Sequence, residues 1–206
     1  MNGEAASGDG FEALYRNSDD PWGVRDRWYE VRKRELTLAC LPARSYASAY
    51  EPGCGNGELS AGLASRCGRL LASDGNLRAV ELARKRTQEC PNVRVVRHAV
   101  PDDWPEAHFD LIVFSEIAYF LDAAALAKLC QCARDAIGAT GIVVACNWRA
   151  AIEGWGHSGE EVHHAIETQL GLPSVFDYRD ADFLIGGWSH DIVSPAMREG
   201  LRGGLP

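Results

Sequence analysis

The sequence has little that would suit a membrane or a nucleic acid. None of its apolar runs reaches the roughly 18 residues that a membrane-spanning helix requires. Basic residues are few: the sequence has 21 lysines and arginines and 29 aspartates and glutamates, which gives a formal net charge of −8. Holding nucleic acid by its phosphates takes a basic surface, so we expect neither a nucleic-acid nor a membrane partner. Residues 1–20 lack the charged-then-apolar order of a signal peptide, which favours a cytoplasmic protein.

The seven cysteines include no C-x-x-C pair, the spacing typical of zinc and redox sites, and their number is odd. Most of them lie in apolar segments, where a reduced cysteine behaves as a small hydrophobic residue. Cys130 and Cys132 fall on one predicted helix, where their side chains point about 200° apart. Histidines and cysteines do not cluster at ligand spacing, so we expect a reduced protein without a metal site.

What the sequence does contain is typical of a soluble globular protein with a core, namely 46% apolar and 24% charged residues. A length of 206 residues fits one domain of ordinary size, so 1–206 is predicted to form a single domain. Near the N-terminus, apolar residues at helical spacing predict a helix over 25–41.

Beyond residue 42, segments with strand and helix patterns alternate. The predicted strands are 46–51, 69–74, 93–100, 109–116 and 141–148, and the predicted helices are 58–67, 76–90, 122–138 and 158–172. This alternation implies a parallel sheet with helices on both faces. The segments SVFDYRD and DFLIGGWS follow so closely that they must form a hairpin, which predicts an antiparallel strand at the late edge of the sheet. The expected fold class is α/β, a doubly wound, Rossmann-like, mainly parallel seven-stranded sheet with an antiparallel C-terminal strand.

Several helix ends carry recognisable cap residues. Asn76 and Asp122 are predicted to cap the starts of their helices, and Ser158 with Glu161 has the spacing of a capping box. Helices are predicted to end at Gly138 and Gly171, because glycine adopts the left-handed conformation of a C-terminal cap without strain.

The sharpest local signal is the loop Glu51-Pro-Gly-Cys-Gly-Asn-Gly57, whose glycines let the backbone turn tightly and approach a ligand. Asp74 closes the next strand, where its carboxylate could accept both hydroxyls of a ribose. Glu58 stands where a dinucleotide fingerprint needs its third glycine, and its charge disfavours a pyrophosphate. We therefore expect a phosphate-free ribosyl ligand, with Glu51 suited to an amine or sulfonium. The alternative is a tight turn with Asp74 as a helix cap.

This E-x-G-x-G-x-G loop, with an acid at the end of the second strand, resembles the first two motifs of class I S-adenosylmethionine-dependent methyltransferases. Residues 109–120, FDLIVFSEIAYF, resemble the FDLIV-x-x-E-x-x-Y-(Y/F) segment of the NodS family, the N-methyltransferases of Nod-factor synthesis. Asp19-Asp20-Pro21-Trp22 resembles the family's DDPW, and Trp155-Gly156-His157 resembles its WGH. The resemblance covers roughly residues 11–190.

The resemblance implies S-adenosyl-L-methionine as cofactor, with S-adenosyl-L-homocysteine as product. Residues 11–42 would form a lid or cap over it. The residues expected to hold the cofactor lie in this lid and at the ends of the first four strands of the sheet. They are Trp22, Arg32, Glu51, Gly53, Cys54, Gly55, Asp74, Gly75, Asn76, Ala99, Val100 and Ser115.

Arg32 lies one helical turn after Trp28, so both are predicted to face inward, with Arg32 pairing with the methionine carboxylate or with an acidic acceptor. The alternative is a surface helix with solvated basic side chains and with Trp28 in the core.

Methyl transfer to an amine requires alignment of the acceptor and removal of one proton. Glu116, at the carboxyl edge of the sheet, is the first candidate for the group that removes this proton, and Tyr119 lies on the same turn. The alternative is that Glu116 caps a short helix. His157 is a second candidate, because a histidine titrates near neutral pH. Trp155 could stack on a sugar face, and His163 could contact the substrate or be a structural histidine.

The leading prediction is an N-methyltransferase that acts on an amino sugar, in a lipo-chitooligosaccharide or an aminoglycoside-type natural product. One alternative is a small-molecule O-methyltransferase, which would need a histidine base or a metal. The other is a non-catalytic nucleoside-binding module of the same fold. The chain departs from the family pattern at two places, the helix at 158–171 and Ala139-Thr140-Gly141 in place of P-G-G. These departures bear on the identity of the acceptor and not on that of the donor. The oligomeric state stays open, with a homodimer as one option.

Overall fold

The structure, a computed structural model, describes residues 8–150 and 157–202. Its strands are β1 (Tyr46–Pro52), β2 (Cys67–Asp74), β3 (Val93–Arg97), β4 (Phe109–Ser115), β5 (Ile137–Trp148), β6 (Ser174–Arg179) and β7 (Phe183–Trp188). They form one seven-stranded sheet in the order β3-β2-β1-β4-β5-β7-β6. The first five strands pair in parallel, and β7 runs antiparallel to both of its neighbours. The predicted fold class is confirmed.

The helices are α1 (Gly8–Asn17), α2 (Trp28–Cys40), α3 (Glu58–Ala64), α4 (Leu77–Arg86), α5 (Ala123–Ala136), α6 (Gly159–Leu170) and α7 (Pro195–Arg198), with a 3-10 turn at Ala118–Phe120. The predicted start caps are confirmed: Asn76 accepts from the Ala79 amide and Asp122 from the Ala125 amide. The capping box at the start of α6 is present, and Gly171 ends that helix with φ 58°. Neither α1 nor α7 was predicted.

The prediction that Gly138 ends a helix is wrong. α5 ends at Ala136, and β5 begins at the next residue, because Ile137 already pairs with Phe109 of β4. The backbone therefore pairs with β4 from Ile137 onward, one residue before Gly138.

The hairpin is present, but its antiparallel strand does not lie at the edge of the sheet. β7 inserts between β5 and β6, which leaves β6 as the edge strand. Burial explains this order: every residue of the apolar β7 is buried, whereas the residues of β6 are either exposed or only partly buried. The more apolar strand takes the position that is covered on both faces.

The two largest hydrophobic clusters of the described residues cover opposite faces of the sheet. One packs α5 and α6 against one face and includes Ile112 and Phe114 of β4, while the other packs α3 against the opposite face and includes Leu111 and Val113. All four β4 side chains are fully buried, as expected of a strand covered on both faces. In the part of the chain that the structure describes, no helix combines the length and apolar composition needed to cross a membrane.

Candidate active site

The glycine loop follows β1 and leads directly into α3. Gly53 and Gly57 have φ angles of 70° and 85°, a region that side chains with a Cβ rarely adopt. A Cβ on Gly53 would overlap the side chain of Ile117, and one on Gly57 would lie 2.8 Å from the Cα atom of Ala83. The loop needs glycine both for its turns and for its close packing.

Asp74 lies beside this loop, as the sequence predicts. Its Oδ2 atom accepts from the Gly55 amide at 3.0 Å, and its Oδ1 atom accepts from the Asn76 amide at 2.8 Å. Burial raises the pKa of Asp74, and the two amide donors oppose that rise. Each oxygen of a carboxylate has more than one lone pair, so both remain able to accept from ligand hydroxyls.

Glu51, at the end of β1, is 2% exposed and accepts a hydrogen bond from the Ser60 hydroxyl at 2.5 Å. Burial raises the pKa of this carboxyl to about 8, against the lowering effect of Ser60. A cation at this position would favour the ionised form, which suits the predicted preference of Glu51 for an amine or a sulfonium.

The ends of β2, β3 and β4 carry the remaining predicted cofactor residues. A Cβ on Gly75 would lie 3.6 Å from the Cα atom of Ala99, so the ends of β2 and β3 are adjacent. Val100 packs against the first core, and Ser115 is the last residue of β4. These placements agree with a nucleoside pocket along the carboxyl edge of the sheet, where open α/β folds bind ligands. The contacts of each residue with the cofactor stay predictions.

Helix α1, which was not predicted as a helix, covers the glycine loop and overlaps the segment 11–42 that was expected to act as a lid. Tyr15 is 5% exposed, and its hydroxyl would lie 3.3 Å from a Cβ on Gly55. Its ring meets Trp22 edge-on at 5.7 Å between centroids. Trp22 therefore contacts Tyr15, and its contact with the cofactor stays a prediction.

The DDPW segment is bonded to the same loop. Asp20 accepts from the side-chain amide of Asn56 at 3.1 Å and from the Val24 amide at 2.8 Å. Asp19 forms an ion pair with Arg78 of α4 at 2.8 Å. These two acids attach the N-terminal segment to the glycine loop and to α4.

Glu116 immediately follows β4 and has φ 61°, the only positive value among non-glycine residues of the described ranges. The hydroxyl of Tyr119 donates to its Oε2 atom, which confirms that these two side chains meet. Burial raises the pKa of Glu116, while Lys33 and the Tyr119 hydroxyl lower it. The 3-10 turn has Ile117 as its N-cap and no side-chain cap bond, so the capping role proposed as the alternative is absent.

Lys33 of α2 is the main residue that the sequence analysis missed. It is 5% exposed, and its Nζ atom lies 3.2 Å from Glu116 Oε1 and 3.0 Å from Glu30 Oε2. The Nζ atom also lies 4.9 Å from the centre of the Tyr29 ring. Tyr29, Lys33 and Thr37 recur every fourth residue, and this stripe of large and polar side chains was the available signal.

Arg32 and Trp28 do not face inward together, so that prediction is wrong. Arg32 donates to Asp180 at 2.6 Å and to the Tyr178 hydroxyl at 2.9 Å, which directs its guanidinium to the β6–β7 hairpin. Trp28 is 70% exposed, so the alternative that placed it in the core is wrong as well. Both residues line an open cleft of about 410 Å³ beside the hairpin, because the helix docks through its Tyr29–Lys33 face.

His163, predicted to contact the substrate, is a core residue instead. It is 8% exposed, its Nδ1 atom lies 3.2 Å from the Asn147 side-chain amide, and its ring lies 5.1 Å from that of Trp188. Burial lowers its pKa, so the imidazole stays neutral. The structural alternative is the correct one for this residue.

His157 precedes α6 and lines a small cleft of about 110 Å³ with Leu126, Glu161 and Gln169. Its catalytic role stays a prediction. Trp155, predicted to stack on the acceptor, lies outside the described residues.

Metal ligands are not grouped in this site. Within residues 8–150 and 157–202, no cluster of three or more His, Cys, Asp or Glu side chains could hold a metal ion. All seven cysteines are free thiols.

Comparisons with known proteins agree with this geometry. The model of the nodulation protein S (NodS) family matches residues 9–170. Nodulation protein S of Rhizobium tropici is 31% identical over 168 residues, which are 79% of this chain and 71% of that protein. A crystal structure of a proposed methyltransferase from Pseudomonas syringae is 46% identical, with a TM-score of 0.71 over 79% of this chain and 99% of that one.

The N-methyltransferase NodS from Bradyrhizobium japonicum WM9, solved in complex with S-adenosyl-L-homocysteine, is similar in fold. Its TM-score is 0.78 at 24% identity, over 87% of this chain and 96% of that chain.

Proposed function

The chain belongs to the nodulation protein S family and is an S-adenosylmethionine-dependent methyltransferase, and on that premise we propose that it methylates the amino group of an amino sugar. The acceptor would be part of a lipo-chitooligosaccharide or of an aminoglycoside-type natural product. The observation that carries the proposal is the environment of Glu116, a carboxylate held between a lysine and a tyrosine at the carboxyl edge of the sheet.

The described residues fit the cofactor. Asp74 keeps lone pairs for the ribose hydroxyls, and Gly55 beside it has no Cβ atom that would hold a ligand away from the backbone. Glu51 supplies a buried carboxyl that a cationic group would ionise. We propose that these residues hold the donor, with Gly75, Ala99 and Val100 beside its base. When bound, S-adenosyl-L-methionine supplies a methyl carbon that passes to the acceptor lone pair while the bonding electrons stay on sulfur.

Glu116 would handle the proton. An amino sugar at neutral pH is largely an ammonium ion, which has no lone pair for attack. The Glu116 carboxylate can accept one N–H proton, which leaves a neutral amine next to the donor. Tyr119, whose pKa is raised by burial and by Glu116, stays protonated and keeps donating to Oε2. The side chain of Glu116 is 26% exposed but its Oε1 atom is buried, so the acceptor would approach from the side of Oε2.

Two observations weigh against the alternatives. An O-methyltransferase would need a histidine base, and of the two candidates His163 is buried in the core with Asn147 and Trp188, which leaves His157 alone for that role. A module that only binds a nucleoside has no need for a buried lysine paired with the partly exposed Glu116 carboxylate. The amino acceptor is therefore favoured.

Glu116→Gln tests the proposal, because it keeps the shape of the side chain and removes its charge. Turnover on a panel of amino sugars and aminoglycosides should fall by about 10²–10⁴-fold, the range typical of a general base, while donor affinity is retained. Part of the loss should be recovered between pH 6 and pH 10, as solvent supplies more free amine. Product mass, increased by one methylene group, reports the reaction.

The matched control is Glu81→Gln, an exposed carboxylate on α4, which should leave turnover unchanged. Wild-type turnover of Glu116→Gln at pH 7 would remove Glu116 from the mechanism. Methylation of hydroxyl acceptors without pH recovery would establish the O-methyl alternative. Tight donor binding without turnover on any acceptor would establish the binding module.

A further inference from the structure

Lys33 is buried to a degree that lysines reach only when they are paired. It is 5% exposed, and carboxylates of Glu30 and Glu116 lie on two sides of its ammonium group. Burial alone would lower the pKa of Lys33, but Glu116 and Glu30 raise it above its usual value. The ammonium group therefore stays charged over the whole pH range in which an enzyme assay is run.

The two carboxylates have different surroundings. Glu30 lies three residues earlier on the same helix, so its pair with Lys33 is local to α2. Glu116 comes from the end of β4, so its pair with Lys33 joins the helix to the centre of the sheet. Lys33 is thus the cationic contact between α2 and the proposed base.

The groups that face Glu116 come from three elements. Helix α2 presents Lys33, Glu30 and the Tyr29 hydroxyl, the 3-10 turn presents Tyr119, and β5 presents the Cys146 thiol. Among these, Lys33 is the one cation that faces Glu116 in the described ranges. Lys33 and Tyr119 contact different oxygens of the carboxylate, and free lone pairs remain on both.

We propose that Lys33 is a positioning residue for the methyl transfer, whose ammonium group keeps the Glu116 carboxylate ionised and turned so that it can take a proton from the acceptor amine. This inference rests on the proposed role of Glu116. Lys33 itself need not touch the substrate, because it acts through Glu116.

The sign of the effect follows from the charges. Without Lys33, burial and the negative charge of Glu30 both raise the pKa of Glu116, so the carboxyl stays protonated to a higher pH and cannot accept the amine proton. Without the charge of Glu30, Lys33 acts on Glu116 unopposed, and the pKa of Glu116 falls. Two substitutions three residues apart on one helix should therefore move the activity in opposite directions along the pH axis.

The experiment is the pH dependence of kcat from pH 5 to pH 10 for the wild type, Lys33→Met, Lys33→Arg and Glu30→Gln, on the best amino-sugar acceptor. We expect the acid limb to move up by about 1–3 pH units in Lys33→Met. It should move down in Glu30→Gln and stay near the wild type in Lys33→Arg. Titration of the acceptor is common to all variants, so differences between the profiles belong to the enzyme.

Lys128→Met is the matched control, since it removes another lysine–carboxylate pair, with Asp102, on the exposed side of α5. Its profile should coincide with that of the wild type. Calorimetric titration with S-adenosyl-L-homocysteine should give wild-type affinity for Lys33→Met, which shows that the donor site is intact.

An unshifted acid limb in Lys33→Met, with Glu116→Gln still impaired, would overturn the role of Lys33 and leave the proposed function standing. If Glu116→Gln retains full turnover, the proposed base is wrong; if the wild type methylates no amino sugar, the proposed function itself fails. Should Lys33→Met not fold, Glu30→Gln and Lys33→Arg decide. The proposal is supported if the acid limb of the kcat profile moves to lower pH in Glu30→Gln and stays at the wild-type position in Lys33→Arg. It is overturned if the acid limb does not move in Glu30→Gln or if both variants lose activity equally at every pH.

Discussion

The Asp74 carboxylate bonds to the protein on both oxygens before any ligand binds. It accepts from the amides of Gly55 and Asn76, so it holds the glycine loop against the start of α4. A residue with this arrangement contributes to stability as well as to binding. The two contributions can be separated by measuring them on the same variant.

Asp74→Ala should weaken binding of S-adenosyl-L-homocysteine by about 2–4 kcal/mol, because two charge-assisted bonds to the ribose are lost. The free energy of unfolding should also fall, by about 1–3 kcal/mol, since two amides lose their acceptor. Calorimetric titration measures the first quantity and urea unfolding the second. Donor affinity within twofold of the wild type would contradict the ribose assignment.

Asp110→Ala provides the comparison. Asp110 accepts from the Ser48 amide at 2.8 Å, near the opposite end of the sheet, so its loss should lower stability and leave donor affinity alone.

At the scale of elements, the proposed lid at 11–42 depends on how α1 docks. Tyr15 packs with Ala79 and Leu82 of α4 and reaches over the glycine loop, whereas Leu14 on the same helix is 40% exposed. A short helix of this kind is stabilised by tertiary packing more than by its own sequence. Its stability should therefore depend on one buried side chain.

Tyr15→Ala should release α1 from the loop. Truncating a buried aromatic side chain costs about 3–5 kcal/mol, so tryptic cleavage at the exposed arginines Arg16, Arg25 and Arg27 should accelerate by at least about tenfold. S-adenosyl-L-homocysteine should slow cleavage of the wild type. Leu14→Ala should behave like the wild type, and an unchanged cleavage rate in Tyr15→Ala would show that α1 does not depend on this contact.

Local chemistry explains which elements the sequence could predict. The caps at Asn76, Asp122 and Ser158 depend on residues within one turn, and Glu116 and Tyr119 are three residues apart on one turn. The insertion of β7 and the docking of α1 depend on which surfaces remain to be covered after the sheet forms, and no local pattern encodes that. Whether Lys33 or Arg32 reaches Glu116 likewise depends on which face of α2 packs against the sheet.

At the scale of the whole molecule, two carboxyl groups give stability a pH dependence of opposite sign. Burial raises the pKa of Glu51 to about 8, so its contribution is fully present below pH 4.5 and is lost as the pH rises through 8. For Asp180, burial would raise the pKa, but the amides of Phe183 and Asp182 and the Arg32 guanidinium lower it to about 2. Its contribution is present above pH 3.8 and is lost as the pH falls through 2.

The ligand-free wild type should therefore lose about 2–4 kcal/mol of unfolding free energy between pH 5 and pH 8 relative to Glu51→Gln. Urea unfolding at several pH values measures this difference. Asp180→Asn should keep the wild-type slope over the same range, because Asp180 is ionised throughout it in both the folded and the unfolded chain. Parallel slopes for the wild type and Glu51→Gln would show that Glu51 is ionised in the folded protein.

The side chains of Arg32 and Lys33 are neighbours in sequence, yet one binds the last hairpin of the sheet and the other binds the carboxylate at its centre. The family model matches residues 9–170, so the hairpin lies beyond the matched segment while Arg32 lies within it. A different C-terminal hairpin would keep this contact of α2 only if it also offered an acidic partner to Arg32. A chimera that exchanges this hairpin without Asp180 would release α2 on one side and disturb Glu116 on the other.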